Sequence, residues 1–127
     1  MHLVPADRAH RRVIDEHTVC DALAGLSEAS LRREWSALFA VLGDPHRLTL
    51  LQCIHAAPGI CVTDLAVAAD MNDSTVSQAL RFLRGSGLVH DRRDGRIMRY
   101  HLADDRLHTL LHLVQGRARD ATPAEQA

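Results

Sequence analysis

The chain has 127 residues, 46% hydrophobic and 24% charged, with only four Phe, Trp or Tyr. Such numbers describe one domain with one aliphatic core; they exclude wholesale disorder and favour helices over a sandwich. The net charge of −1 excludes a uniformly basic protein, yet Ser74 to Arg99 carries six Arg against two Asp, a local surplus of +4 that suits a phosphate-facing surface.

Residues 1–26 read as an N-terminal arm, partly mobile: 1–20 are polar and His/Arg-rich, and a short helix follows from Cys20 to Leu26, closed by Gly25. Residues 27–118 form the main domain. Ser27 or Ser30 opens its first helix, with Glu34 in the first turn, and Leu31, Trp35, Leu38, Phe39 and Leu42 recur at helical spacing and predict one buried face. Gly43-Asp44-Pro45 ends that helix and starts another, Asp44 as N-cap and Pro45 at the first helical position. The second helix runs to about Ala56 and is apolar nearly all round (Leu48, Leu50, Leu51, Ile54) until Pro58-Gly59 stops it.

Ile60-Cys61-Val62 is a short extended piece, and Thr63 caps a helix to about Ala69. Asn72-Asp73-Ser74 starts the next helix, which turns Val76, Leu80 and Leu83 inward and ends at Gly85 and Gly87. Leu88 to Arg92 and Arg96 to Leu102 read as two strands joined by an Asp94-Gly95 turn. Asp104 opens the last helix, whose stripe is Leu107, Leu110, Leu111 and Val114; residues 119–127 are a frayed tail.

The fold class is therefore mainly α with a small β-hairpin: a winged helix-turn-helix. A helix that enters the major groove needs small polar side chains near its N-terminus. Ser74, Thr75, Ser77 and Gln78 supply them, and Arg81 reaches guanine or phosphate from one turn further on. Arg92, Arg93 and Arg96 surround the hairpin tip and suit the neighbouring backbone or minor groove. The expected partner is double-stranded DNA. No Ser-His-Asp arrangement, phosphate-cradling Gly loop or His-Glu-x-x-His helix points to an enzyme. No apolar run approaches the roughly 18–20 residues of a membrane span, and no signal-peptide core is visible, so a cytoplasmic protein without a membrane partner is expected.

Phe39-Ala40-Val41-Leu42-Gly43-Asp44-Pro45-His46-Arg47-Leu48, Cys61-Val62-Thr63-Asp64-Leu65-Ala66, Ser74 to Leu83, Gly87-Leu88-Val89, Gly95-Arg96 and Tyr100-His101-Leu102 occur in one order. Over roughly residues 30–115 this resembles the ArsR/SmtB family of metal-sensing repressors. One departure is Ser77-Gln78-Ala79-Leu80, where the family commonly has Ser-His-Gln-Leu. The resemblance implies a homodimer that leaves its operator on binding a metal. Apolar surplus at Trp35, Leu38, Leu110 and Leu113 suits dimerisation through the first and last helices.

The resemblance also implies a metal site between the arm and the helix after Cys61. Cys61 and Asp64 match as Cys-x-x-Asp; the arm offers His17 and Cys20 as His-x-x-Cys, against an expected Cys-x-x-x-His. That donor set suits Zn²⁺, Cd²⁺ or Pb²⁺. Cys20 and Cys61 as small buried hydrophobes is the plainer alternative. Cys53 reads as core filler, or joins Cys20 and Cys61 in a three-thiolate site for arsenite or Pb²⁺. The family's second site, on the last helix, loses two ligands here, because Arg106 and Arg117 stand at ligand positions and a guanidinium cannot bind a metal. His108 and His112 share a face of that helix, as solvated residues or as ligands. A winged-helix regulator that answers thiol oxidation or a protein partner is the alternative to a metal sensor.

Overall fold

The computed structural model describes the backbone of residues 4–126 and the side chains of residues 4–115. Two compact units divide between Phe39 and Ala40.

In the first unit a single 3₁₀ turn (Ala6–Arg8) precedes α1 (Glu16–Ala24) and most of α2 (Ala29–Leu42), whose residues 40–42 belong to the second. The sequence reading starts α1 four residues late. Asp15 caps it: Oδ1 accepts from the backbone N–H of His17 and Thr18, and Oδ2 from the Thr18 hydroxyl. The Thr18 bonds hold the Asp15 carboxyl below its ordinary range. Helix α2 begins at Ala29, so Glu34 stands beyond its first turn. Its apolar stripe is only partly covered: Leu38 is 3% exposed, whereas Leu31 and Phe39 are 44% and 53% exposed. Periodicity identifies an apolar face but not what covers it.

The second unit holds α3 (Pro45–Ala56), β1 (Ile60–Cys61), α4 (Val62–Ala69), α5 (Asp73–Gly85), β2 (Val89–Asp94), β3 (Ile97–Leu102) and α6 (Asp105–Gln126). Asp44 caps α3, its Oδ2 accepting from Arg47 N–H at 3.0 Å, with Pro45 in the first turn, as the sequence dictates. Leu50, Leu51 and Ile54 of α3 are buried with Leu65 and Ala66 of α4, Val76, Leu80 and Leu83 of α5, Leu88, Val89, and Leu107 and Leu111 of α6. On α6 the expected stripe holds for Leu107 and Leu111, while Val114 is 52% exposed. The frayed tail expected at 119–127 lies outside the residues whose side chains are described.

Helix α4 starts one residue before Thr63, with Cys61 as the flanking extended residue and no side-chain cap. It ends at Asp70, whose left-handed backbone (φ 55°) lets the N–H groups of Asp70 and Met71 reach back to the last turn of α4. The chain turns through Asp70 to Asn72 and enters α5. The sheet is antiparallel, in the order β1-β3-β2. Asp94 pairs with Ile97, so the hairpin loop is Gly95-Arg96 and not Asp94-Gly95. Gly95 at φ 63° takes the first loop position, where a positive φ matches the twist of the strands and glycine adopts it without strain.

Candidate nucleic-acid interface and thiol positions

Helix α5 is set by its cap and its buried side. Asn72 Oδ1 accepts from Thr75 N–H at 2.8 Å. With Val76, Leu80 and Leu83 held in the core, the helix can turn in only one way. Ser74, Ser77, Gln78 and Arg81 then share the exposed stripe at i, i+3, i+4 and i+7. Thr75 is half-buried beside that stripe, and its backbone N–H is the one that donates to the Asn72 cap.

The wing places Arg92, Arg93 and Arg96 in solvent. Two further arginines of the basic segment are engaged within the fold. Arg84 Nη1 lies 2.7 Å from Asp91 Oδ2, tying α5 to β2. Arg99 Nε donates to Asp94 Oδ2 at 2.8 Å and its Nη1 to the Gly59 carbonyl at 3.0 Å. Since those two neutralise the segment's two carboxylates, its surplus charge resides on Arg81, Arg92, Arg93 and Arg96.

Between α5 and β3 lies a cleft of about 250 Å³ lined by Ser77, Leu80, Arg81, Arg84 and Tyr100. Burial pushes the Tyr100 phenol above its ordinary pKa. Sequence reading missed Arg84 and Tyr100, because the cleft arises from the packing of helix on sheet. It also missed Arg47, whose guanidinium stands 4.3 Å over the Phe82 ring and 3.6 Å from Asp44 Oδ2, so that the α3 cap and α5 are joined by a cation–π contact.

The three thiols stand on three different elements, α1, α3 and β1. Cys61 is half-buried and pairs in register with Arg99, and Asp64 is exposed in the first turn of α4. The Arg99 guanidinium has its pKa raised chiefly by the Asp94 hydrogen bond, with smaller contributions from Cys61 and Asp64. A cleft of about 200 Å³ opens beside Cys61, bounded by Val62, Thr63, Arg96, Ile97 and Met98. In the other unit, His17 and Cys20 lie three residues apart on α1, with His17 Nε2 3.8 Å from Asp21 Oδ2. Cys53 is half-buried on α3, and burial raises its thiol pKa. Among the described residues, neither unit gathers three or more His, Cys, Asp or Glu in a metal-holding cluster.

At the start of α6, Asp104 is engaged by Arg106: Nη2 stands 2.6 Å from Oδ2, and Oδ1 accepts from the Arg106 backbone N–H. The Arg106 hydrogen bond holds the Asp104 carboxyl below its ordinary 3.8. A depressed folded pKa stabilises the fold above the unfolded value and loses that contribution as pH falls through the folded one. Asp104→Asn is therefore expected to lower Tm at pH 7, with the gap to the parent closing below about pH 4 in a melt series.

The sequence model of the family described as "Bacterial regulatory protein, arsR family" matches residues 44–91, from the α3 cap to the first half of the wing. A transcriptional repressor SmtB homolog from a Synechocystis species is 37% identical over 89 residues, 70% of this chain and 67% of that protein. Among solved structures, the AntR antimony-specific transcriptional repressor superimposes with a TM-score of 0.67 at 30% identity, covering 84% of this chain and 95% of its own. A homodimeric winged helix-turn-helix DNA-binding domain from Mycobacterium bovis gives 0.60 at 31%, covering 76% and 91%. Among the described residues, no helix is long and apolar enough to cross a membrane.

Proposed function

The chain belongs to the arsR family of bacterial regulatory proteins, DNA-binding repressors with a winged helix-turn-helix fold, and from that premise we propose that it is a homodimeric, metal-responsive repressor of its own operator. The observation that carries the DNA-binding part is where the positive charge of residues 74–99 is left once Arg84 has paired with Asp91 and Arg99 with Asp94. The polar stripe Ser74, Ser77, Gln78 and Arg81 and the wing arginines Arg92, Arg93 and Arg96 hold the segment's uncompensated positive charge. Gln78 suits a bidentate contact to adenine and Arg81 one to guanine or phosphate, while the wing follows the backbone.

Dimerisation is supported by apolar area left open on α2 (Leu31, Phe39) and, in the other unit, on α6 (Leu113, Val114). A two-fold dimer reads half-sites about 34–36 Å apart. The proposed metal donors are Cys61 and Asp64 with Cys20 and His17, each pair three residues apart in the chain, and their thiolate, carboxylate and imidazole chemistry fits Zn²⁺, Cd²⁺ or Pb²⁺. A bound ion supplies positive charge and fixed geometry; Cys61 and Asp64 would carry that constraint to the start of α4, the helix preceding the recognition helix. A coupling of about 1–3 kcal/mol is enough for an affinity change of roughly 5- to 150-fold.

Operator binding measured across a salt series tests the DNA contact. Four outward arginines per chain, eight per dimer, set a limiting log–log slope of about −7. A slope near zero would remove this surface from the interface.

A further inference from the structure

Two histidines that DNA binding leaves unused come together where α3 meets α6. His55 stands in the last turn of α3 and His108 in the first turn of α6, their ring centroids 5.8 Å apart and their planes inclined at 55°. His55 is half-buried and does not turn freely, because its Nδ1 lies 2.9 Å from Gln115 Oε1, two turns further along α6. A carboxamide oxygen only accepts, so in the neutral ring this bond selects the tautomer with the proton on Nδ1 and the lone pair on Nε2. An imidazole orientated by a hydrogen bond from its other nitrogen is the usual state of a histidine ligand. The ring separation fits as well. Metal–nitrogen bonds of about 2.0–2.1 Å put two imidazoles on one ion with centroids roughly 5–6 Å apart.

We propose that His55 and His108 form a bis-imidazole site for one divalent cation of the Zn²⁺/Ni²⁺ class, with Gln115 as positioning residue. All its parts lie in the second unit, and it shares no residue with the thiol positions. Imidazole donors select borderline ions such as Zn²⁺ and Ni²⁺ over the soft ions that thiolates prefer. Two protein ligands leave the other coordination positions to water. Asp105 stands one turn before His108 on the same helix. An ion held there would link α3 to α6, and binding only the folded state it would raise Tm.

NiCl₂ titrated calorimetrically into the full-length chain at pH 7.5 tests the site in the parent and in His55→Gln, His108→Gln, Gln115→Leu and Cys61→Ser. His108 is exposed, so its variant keeps the fold even if His55→Gln does not. The parent should take up one Ni²⁺ per chain and gain Tm. His55→Gln and His108→Gln should each lose at least about tenfold in affinity, Gln115→Leu a smaller amount, and Cys61→Ser none. Parent-like Ni²⁺ affinity in His108→Gln, or a parent with no Ni²⁺-dependent rise in Tm, would overturn the site.

Discussion

Truncating Leu80 to Ala is expected to cost about 2–5 kcal/mol, a large part of the roughly 5–15 kcal/mol that holds a domain of this size. Leu80 is 1% exposed and sits on α5 between Val76 and Leu83, the three side chains that dock the recognition helix on the core. The loss has two parts, the transfer free energy of the removed atoms and the cavity left among neighbours that relax only partly. Leu80→Met, which conserves volume, should cost less than about 1.5 kcal/mol. Urea titrations of both variants measure the difference, and DNA binding should fail in the Ala variant at temperatures where Met still binds. Equal stability of the two would mean that α5 is not fixed by this side chain.

Arg81→Ala should leave the fold intact and lower operator affinity by about 1–3 kcal/mol, roughly 5- to 150-fold. The residue is exposed, ends the polar stripe, and lines the cleft with Ser77, Arg84 and Tyr100. The salt series separates a phosphate role from a base-reading one. Removing one phosphate partner per chain makes the log–log slope shallower by nearly one unit for each, whereas removing a base partner lowers affinity chiefly on the cognate site. Arg84→Ala should behave differently. Its guanidinium is engaged by Asp91, so that variant should reduce stability along with any fall in affinity. An unchanged affinity in Arg81→Ala across all salt concentrations would take the α5 stripe out of the interface.

The helix-turn-helix and wing were legible in the chain because each boundary carries a local signal. Asp44-Pro45 and Asn72 are caps, Gly95 stands in the hairpin, and Val76, Leu80 and Leu83 repeat at helical spacing. Errors arose where the decisive contact is not local or has no pattern of its own. The loop residues of the wing shifted by one because strand pairing, Asp94 with Ile97, sets the register. The start of α1 was missed because Asp15, followed at once by Glu16, looks like any other charge until its oxygens meet His17 and Thr18. Helix α2 showed its apolar stripe in sequence, yet Leu31 and Phe39 remain open, since periodicity says nothing about the partner surface.

The candidate site divides in the same way. Ser74, Ser77, Gln78 and Arg81 could be read from spacing, because one helix carries them all. That Arg84 and Arg99 are engaged by Asp91 and Asp94 could not, since those pairs depend on α5 packing beside β2 and on the hairpin itself. Nor could the meeting of His55 with His108, far apart in the chain, be seen before α3 and α6 were in place. Arg106 was read as standing at a ligand position that a guanidinium cannot serve, and its bidentate contact with Asp104 shows what it does instead.

The most direct test of the central claim is a fluorescence-anisotropy titration of the reduced protein on its own promoter DNA, with Zn²⁺, Cd²⁺, Pb²⁺ and arsenite added in turn. Release by one of these ions at about one equivalent per site is the predicted result. Release should be abolished in Cys20→Ser and Cys61→Ser, which still bind DNA, and kept in His108→Gln. Tight binding that is indifferent to all four ions, with release by an oxidant or a protein partner instead, would contradict a metal-responsive repressor.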